Sequence, residues 1–153
     1  MSHLSELLRK RAPVVNILGP DDTVARAVHA MADRRVGAVL VVDGTELVGI
    51  FSERDVLRRV LAVGRDPERT PLAEVMTRDP VTSTPQESSS RAVAKMRVAG
   101  FRHLPILENG RIVDTLSIRD LLFRELAERE GDIEELRRYI HGAELGVSSR
   151  GAS

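Results

Sequence analysis

The stretch Gly-Ile-Phe-Ser-Glu-Arg-Asp (GIFSERD, residues 49–55) follows an apolar run and places a hydroxyl, a guanidinium and a carboxylate within four positions. A similar ending recurs in TLSIRD at residues 115–120. A serine followed three residues later by an acid is close to the capping box that begins a helix. Both stretches therefore predict a strand that passes directly into a helix, and their recurrence indicates a larger repeated unit.

The repeat extends well beyond this motif. An offset of 65 residues aligns 20–57 with 85–122 without a gap, and most positions are identical or similar in class. The identical pairs include Pro20 with Pro85, Met31 with Met96, Ser52 with Ser117, Arg54 with Arg119, and Asp55 with Asp120. Internal similarity at a fixed offset indicates the duplication of one structural unit.

Each copy has the same predicted order of elements. The first copy contains a strand at 14–17, a helix capped within 21–23, strands at 37–42 and 46–51, and a helix from Ser52. Asp43-Gly44 in the first copy and Asn109-Gly110 in the second predict tight hairpin turns. The unit is therefore β-α-β-β-α. The charged segment between the copies predicts a surface linker in which LAEVM could form a helical turn.

The composition argues against several classes of function. The 153 residues include 23 basic and 23 acidic side chains and no cysteine, so neither nucleic-acid binding nor a thiolate site is expected. The apolar run at 36–42 is too short to cross a membrane and the N-terminus lacks a signal-peptide core, which predicts a cytoplasmic protein. Because phosphate-binding glycine motifs, metal-spaced histidines and nucleophile motifs are absent, neither catalysis nor a metal site is expected.

These features resemble a known family. A doubled β-α-β-β-α unit that ends in Gly-apolar-apolar-Ser-x-x-Asp is similar to the cystathionine β-synthase (CBS) domain in its usual tandem pair, the Bateman module. The stretches HLPILENGRIV at 103–113 and MT-x-DPVT at 76–82 carry the same resemblance, which covers about residues 12–125. It implies an α+β fold in which two units pack sheet to sheet around a pseudo-two-fold axis.

The repeat and the resemblance together divide the chain. The predicted segments are an N-terminal helical segment at 1–11, a first CBS unit at 12–63, a linker at 64–76, a second CBS unit at 77–127, an amphipathic helix at 128–142 and a disordered tail at 143–153. The spacing of Ile133, Leu136 and Ile140 indicates the amphipathic helix, which is expected to begin at Asp132 after a break at Gly131. So short a helix must pack on its own module or on another copy. The resemblance implies a homodimer with this tail near the interface.

The two Ser-x-Arg-Asp motifs allow two interpretations. In the structural one, each motif only caps a helix, although capping boxes prefer Glu or Gln at the last position. In the functional one, the helix start binds a phosphate, the serine and arginine add donors, and the carboxylate accepts from both hydroxyls of a ribose. Spacing alone leaves both interpretations open. In the CBS family this aspartate typically holds the ribose, so the resemblance implies at least one nucleotide site.

The resemblance also implies which residues hold the nucleotide, with the adenine between apolar strand residues. The implied set is Val15, Asn16, Ile17, Val36, Gly37, Ala38, Ser52, Arg54 and Asp55 in the first unit, and Val81, Thr82, Phe101, Arg102, His103, Ser117, Arg119 and Asp120 in the second. The expected ligand is AMP, ADP, ATP or NAD, and no cofactor is required. For Arg102 and His103 the sequence leaves open a phosphate contact across the cleft or a solvated strand end.

The second copy departs from the pattern just before its motif. Asp114 and Thr115 stand where the first copy has Gly49 and Ile50. Glycine allows a backbone or a ligand to approach closely, so its replacement can narrow or repolarise the second cleft. The equivalence of the two clefts is therefore an open question.

Two functions follow from these predictions. In the first, the chain is a non-catalytic regulatory module that binds an adenine nucleotide in the clefts between its units and signals to a separate, unknown protein effector. In the second, the motifs only cap helices, and the chain is a structural adaptor with empty sites that acts by dimerisation and protein contact. Thermal stabilisation by a nucleotide distinguishes the two.

Overall fold

The protein consists of two similar α+β units followed by a long helix. This computed structural model describes the backbone of residues 2–150 and the side chains of residues 2–142. In chain order the elements are α1 (Leu4–Arg9), β1 (Ile17–Leu18), α2 (Val24–Arg34), β2 (Ala38–Asp43), β3 (Glu46–Ser52), α3 (Glu53–Asp55, continued by a π-helical segment at Val56–Leu61), α4 (Leu72–Val75), β4 (Thr77–Arg78), α5 (Ser89–Ala99), β5 (His103–Glu108), β6 (Arg111–Ser117) and α6 (Ile118–Arg150). None of the helices within residues 2–150 combines the length and apolar character needed to cross a bilayer.

The two hairpins have the same register, which confirms the duplication. β2 pairs antiparallel with β3, and β5 pairs antiparallel with β6. Each ladder shifts register at an equivalent point, after Val41 in the first unit and after Ile106 in the second. Gly44 and Gly110 in the two turns have positive φ, as the predicted hairpin turns require.

Each unit has an apolar core of its own. The first core includes Val24, Met31, Val39, Val41, Phe51 and Val60. The second core includes Ala92, Met96, Leu104, Ile106, Leu116 and Leu121. Burial of one large apolar side chain contributes about 1.5–3 kcal/mol, so both units have substantial apolar stabilisation. The α+β class and the tandem arrangement predicted from the sequence are confirmed.

The segment that precedes each unit packs against the other unit. Leu4 of α1 is fully buried in the second core, and Leu72 of α4 is fully buried in the first. β4 likewise extends the first sheet, because it pairs with β3 and places Arg78 opposite Gly49. The segment 64–76, predicted as a surface linker, therefore contains a buried helical turn. The similar sequences LSELL at 4–8 and LAEVM at 72–76 show that the repeat includes these segments.

Two predicted element boundaries are wrong. β1 covers Ile17–Leu18 rather than 14–17, because the backbone N–H of Val14 is bonded to the second unit instead. α6 runs without a break through Gly131, where the sequence predicts that a separate helix begins. A glycine costs a helix about 1 kcal/mol relative to alanine, which strong helix formers on either side can offset. The tail predicted as disordered, 143–153, has no described side chains, and residues 151–153 lie outside the described backbone.

Candidate functional site

The first Ser-x-Arg-Asp motif forms a complete capping box at the start of α3. Asp55 Oδ2 accepts from the Ser52 backbone N–H at 3.0 Å and from the Ser52 hydroxyl at 3.2 Å, and Ser52 Oγ accepts from the Asp55 N–H at 3.4 Å. Asp55 Oδ1 accepts from the Thr77 hydroxyl at 3.5 Å and lies 3.5 Å from Arg59 Nε. The side chain of Asp55 is 12% exposed. Both of its carboxylate oxygens are therefore engaged within the protein.

The second motif forms the same box but leaves its carboxylate more open. Asp120 Oδ2 accepts from the Ser117 N–H at 2.9 Å, and Ser117 Oγ accepts from the Asp120 N–H at 3.1 Å. Arg11 Nη1 also donates to Asp120 Oδ2, at 3.3 Å. The side chain of Asp120 is 33% exposed, and no donor within residues 2–142 reaches its Oδ1. One oxygen of Asp120 is therefore fixed, while the other can accept hydrogen bonds from a ligand.

A buried ion pair lies beside Asp120. Arg11 Nη2 is 2.6 Å from Asp114 Oδ1 and donates to the Thr115 carbonyl oxygen at 2.9 Å. Asp114 is 2% exposed, and its Oδ1 also accepts from the backbone N–H groups of Val14 and Thr115, at 2.9 and 2.7 Å. The acid that replaces glycine in the second copy therefore anchors the N-terminal segment next to Asp120.

The starts of β2 and β5 meet between the two units. A Cβ atom at Gly37 would lie 2.9 Å from His103 Nε2, so a larger residue there would require the imidazole to move. Burial lowers the pKa of His103, and this effect outweighs the opposing effects of Glu53 and Asp120. His103 is therefore neutral near pH 7 and offers one hydrogen-bond donor and one acceptor.

Acid is expected to destabilise the fold through His103. Because folding lowers its pKa, His103 binds a proton more weakly in the folded protein than in the unfolded chain, where the pKa is about 6.5. Its contribution to stability is complete above about pH 6.5 and is lost as the pH falls from there toward the folded-state pKa. Urea unfolding between about pH 7.5 and 5.5 should show a smaller loss of stability in His103→Gln than in the wild type. Equal losses would assign the acid sensitivity to other groups.

The predicted arginines differ in their contacts. Arg54 crosses to the second unit, where its Nη1 donates to the Gly100 carbonyl oxygen at 3.4 Å, at the C-terminal end of α5. A cation at this position stabilises a helix end, because the helix dipole is negative there. Arg102 and Arg119 are exposed. Two other arginines, Arg11 and Arg59, contact the acid of a box directly, and neither is among the residues predicted from the sequence.

The predicted strand residues are divided between the surface and the cores. Ile17 and Val81 are exposed, whereas Val36 and Phe101 pack against the first and second cores. Asn16 is 6% exposed, and its Nδ2 has no hydrogen-bond partner in the described part of the chain. Of the remaining members, Ala38 is buried and Val15 and Thr82 are half-buried. The carbonyl oxygen of Val15 accepts a hydrogen bond from Arg34, and that of Thr82 accepts one from Lys95. An unpaired buried donor costs about 1–3 kcal/mol, so a ligand acceptor at Asn16 would be stabilising.

Two grooves lie on the surface. One, of about 460 Å³, lies beside both hairpin turns and includes Thr45, Gly110 and, among the predicted site residues, Thr82. The other, of about 800 Å³, follows α6 from Glu130 to His141. Neither groove includes the acids of the two boxes, so the candidate site rests on hydrogen-bond geometry rather than on cavity size.

Comparisons with known proteins agree with the tandem fold. The sequence profile of the CBS domain matches residues 4–62 and 72–126. A CBS domain-containing protein of Arabidopsis thaliana is 40% identical over 114 residues, which are 74% of this chain and 21% of that protein, so the chain spans about a fifth of its length. Among solved structures, a CBS-domain-containing protein from Agrobacterium tumefaciens is 28% identical with a TM-score of 0.76, covering 81% of this chain and 99% of the other. A CBS domain protein from Pyrobaculum aerophilum complexed with AMP is 28% identical with a TM-score of 0.69, covering 78% and 89% of the two chains.

Proposed function

This chain belongs to the CBS domain family as a tandem pair, and from that premise we propose that it is a regulatory module that binds an adenine nucleotide and signals to a separate protein. The proposal includes no catalytic step. The observation that carries it is the carboxylate of Asp120, in which Oδ2 is fixed by the protein and Oδ1 is left to a ligand. The AMP complex of the 28% identical Pyrobaculum aerophilum protein supports an adenine nucleotide as the ligand class.

Asp120 suits a ribose better than Asp55 does. A ribose presents two neighbouring hydroxyl donors, and a carboxylate accepts both most readily when one of its oxygens is uncommitted. Asp120 meets this condition, whereas both oxygens of Asp55 are engaged by the capping box, Thr77 and Arg59. Hydrogen bonds to a charged acceptor contribute about 1.5–3 kcal/mol each, so the free oxygen of Asp120 supports occupation of the second cleft. We expect one nucleotide per chain, at the start of α6.

The segment 14–17 is the expected subsite for the base. The bond from the Val14 N–H to Asp114 Oδ1 holds this segment against the strand that leads to Asp120. Asn16 Nδ2 is a buried donor without a partner among the described residues, and the ring nitrogens of adenine are acceptors. The exposed side chain of Ile17 adds apolar surface for the ring.

The phosphate end is expected near the first turn of α6. The N–H groups at a helix start favour an anion, and the exposed Arg119 can reach the same region. His103 is neutral near pH 7, so it is expected to contribute a hydrogen bond rather than a charge. This arrangement accepts AMP, ADP, ATP or NAD, which share the adenine and ribose.

Isothermal titration calorimetry with AMP, ADP, ATP, NAD and S-adenosylmethionine tests the function. At least one of these ligands is expected to bind with a stoichiometry of about one per chain, because one box acid is open and the other is engaged. Two sites per chain would contradict the difference between the clefts but keep the function. If all five ligands at millimolar concentration give neither heat nor thermal stabilisation, the nucleotide function is wrong and the structural adaptor is favoured.

The protein effector, the homodimer and the cytoplasmic location stay predictions. A ligand shifts a conformational equilibrium only by the difference in its affinity for the two states. The effector is therefore expected to recognise an arrangement of the two units that the nucleotide binds preferentially.

A further inference from the structure

α6 continues well beyond the contacts that hold it to the second unit. Leu121, near its start, is fully buried in the second core, whereas every residue from 126 to 142 is exposed. Most helices in proteins are stabilised by the packing of an apolar face rather than by intrinsic helix propensity. One face of α6 is therefore expected to be covered.

The exposed apolar residues of α6 form a stripe along the helix. Together with one arginine, they recur at alternating intervals of four and three residues. This set of residues is called the seam: Leu122, Leu126, Arg129, Ile133, Leu136 and Ile140. The apolar members of the seam are each 45% to 58% exposed. Because α6 does not break at Gly131, the parts of the seam before and after that glycine lie on the same face. Alternation of four and three is the pattern of a coiled coil.

We propose that the seam pairs with the seam of a second copy of this chain as a parallel, two-stranded coiled coil. Ile133 and Ile140 occupy one of the two core positions of the heptad, and Leu122 and Leu136 occupy the other. β-branched residues at the first position with leucine at the second favour two parallel strands. Leu126 shares the position of the isoleucines. Arg129, the single polar residue of the seam, shares the position of the leucines and lowers the stability of the pair.

The charges beside the seam fit parallel pairing in register. Asp132 then lies opposite Arg137 of the second copy, and Arg129 lies next to its Glu130. Glu125 also approaches Glu130 of the second copy, with Arg129 between the two acids. An antiparallel alignment that stacks the apolar layers would instead bring Glu130 and Asp132 onto their own counterparts and bury Arg129 against an isoleucine. In the parallel pair Arg129 faces its own counterpart, which is also unfavourable. The two contacts between Asp132 and Arg137 form only in the parallel pair, so this arrangement is preferred.

Cysteine cross-linking tests this geometry, because the chain has no cysteine of its own. Leu136→Cys is expected to form an intermolecular disulfide under mild oxidation, since equivalent seam residues face each other in a parallel pair. Arg138→Cys, on the opposite face of α6, is the matched control and is expected to cross-link at least about tenfold more slowly, because its Cα atoms are too far apart. Equal rates for the two variants would overturn the proposal. An antiparallel pair would instead place Leu126 of one copy opposite Leu136 of the other. Cross-linking in a mixture of Leu126→Cys and Leu136→Cys chains, without cross-linking of Leu136→Cys alone, would therefore also overturn the proposal.

The mass in solution provides a second test. Light scattering should show a dimer for the full chain. The double variant Ile133→Asp, Ile140→Asp should raise the dissociation constant of the dimer at least about a hundredfold, because four buried isoleucines are lost per dimer. Glu134→Ala with Arg138→Ala, off the seam, should leave the mass unchanged. Circular dichroism should show a loss of helix in the seam variant, since α6 loses its cover. A monomeric wild type, or a seam variant that dimerises like the wild type, would contradict the proposal, and neither result would bear on nucleotide binding.

Discussion

Asp120→Ala is expected to abolish the thermal stabilisation that an adenine nucleotide gives the wild-type protein. At a ligand concentration about 100 times the Kd this stabilisation amounts to about 2.7 kcal/mol, so its loss is easily measured. The loss follows because the ribose hydroxyls would have no carboxylate oxygen to donate to in the second cleft. Thermal unfolding followed by differential scanning fluorimetry, with and without nucleotide, gives the measurement.

Two variants separate ligand binding from helix capping. Asp120→Ala removes a cap as well, which alone costs about 0.5–2 kcal/mol, so the informative quantity is the shift caused by the nucleotide. Asp120→Glu keeps a favoured capping-box residue but moves the carboxylate outward by one carbon, so it should retain the stability of the free protein and lose most of the nucleotide response. Asp55→Ala is the matched control, which should lower stability and keep the response. The reverse outcome, with the response lost in Asp55→Ala and kept in Asp120→Ala, would place the ligand in the first cleft.

The strand-to-helix transitions and the hairpins could be predicted because each depends on residues close together in sequence. Ser52 and Asp55 form their box three residues apart, and the turn at Gly110 needs the positive φ that Asn-Gly sequences readily adopt. The duplication then supplied the tandem arrangement, since two similar units that each carry one apolar sheet face are expected to pack together. The break predicted at Gly131 failed because a glycine and a capping residue are weak local signals within a long run of helix formers.

The difference between the two clefts could not be predicted, because the two motifs are alike and differ in their distant neighbours. Thr77, which donates to Asp55, is 22 positions away from it, and Arg11 is 109 positions away from Asp120. One signal was present in the sequence: Asp114, the one acid in β6, requires a cation when it is buried. In a chain so rich in arginine, nothing in the sequence identifies which residue supplies it.

Asp114→Asn is expected to destabilise the free protein by about 2–4 kcal/mol, measured by urea unfolding. Removing one partner of a buried ion pair leaves the other charge uncompensated, and Asp114 is 2% exposed with three donors on one oxygen. Arg11 is 23% exposed and keeps its contact with Asp120, so the cost should lie below that of a fully buried pair. Arg11→Met combined with Asp114→Asn should cost about 0.5–3 kcal/mol less than the sum of the single changes, because no charge is left unpaired.

The Glu6 to Arg124 ion pair provides the control for this prediction. Its atoms are 2.8 Å apart, close to the 2.6 Å of Arg11 and Asp114, but the Glu6 side chain is 52% exposed. Glu6→Gln should therefore cost less than about 1 kcal/mol, because water already screens the pair. If Asp114→Asn costs no more than Glu6→Gln, the buried pair does not hold the N-terminal segment in place. In that case nucleotide affinity should also be unchanged. If Asp114 does anchor the segment, nucleotide affinity should fall in Asp114→Asn and not in Glu6→Gln, because Asp114 holds both Arg11 and Val14 beside the second cleft.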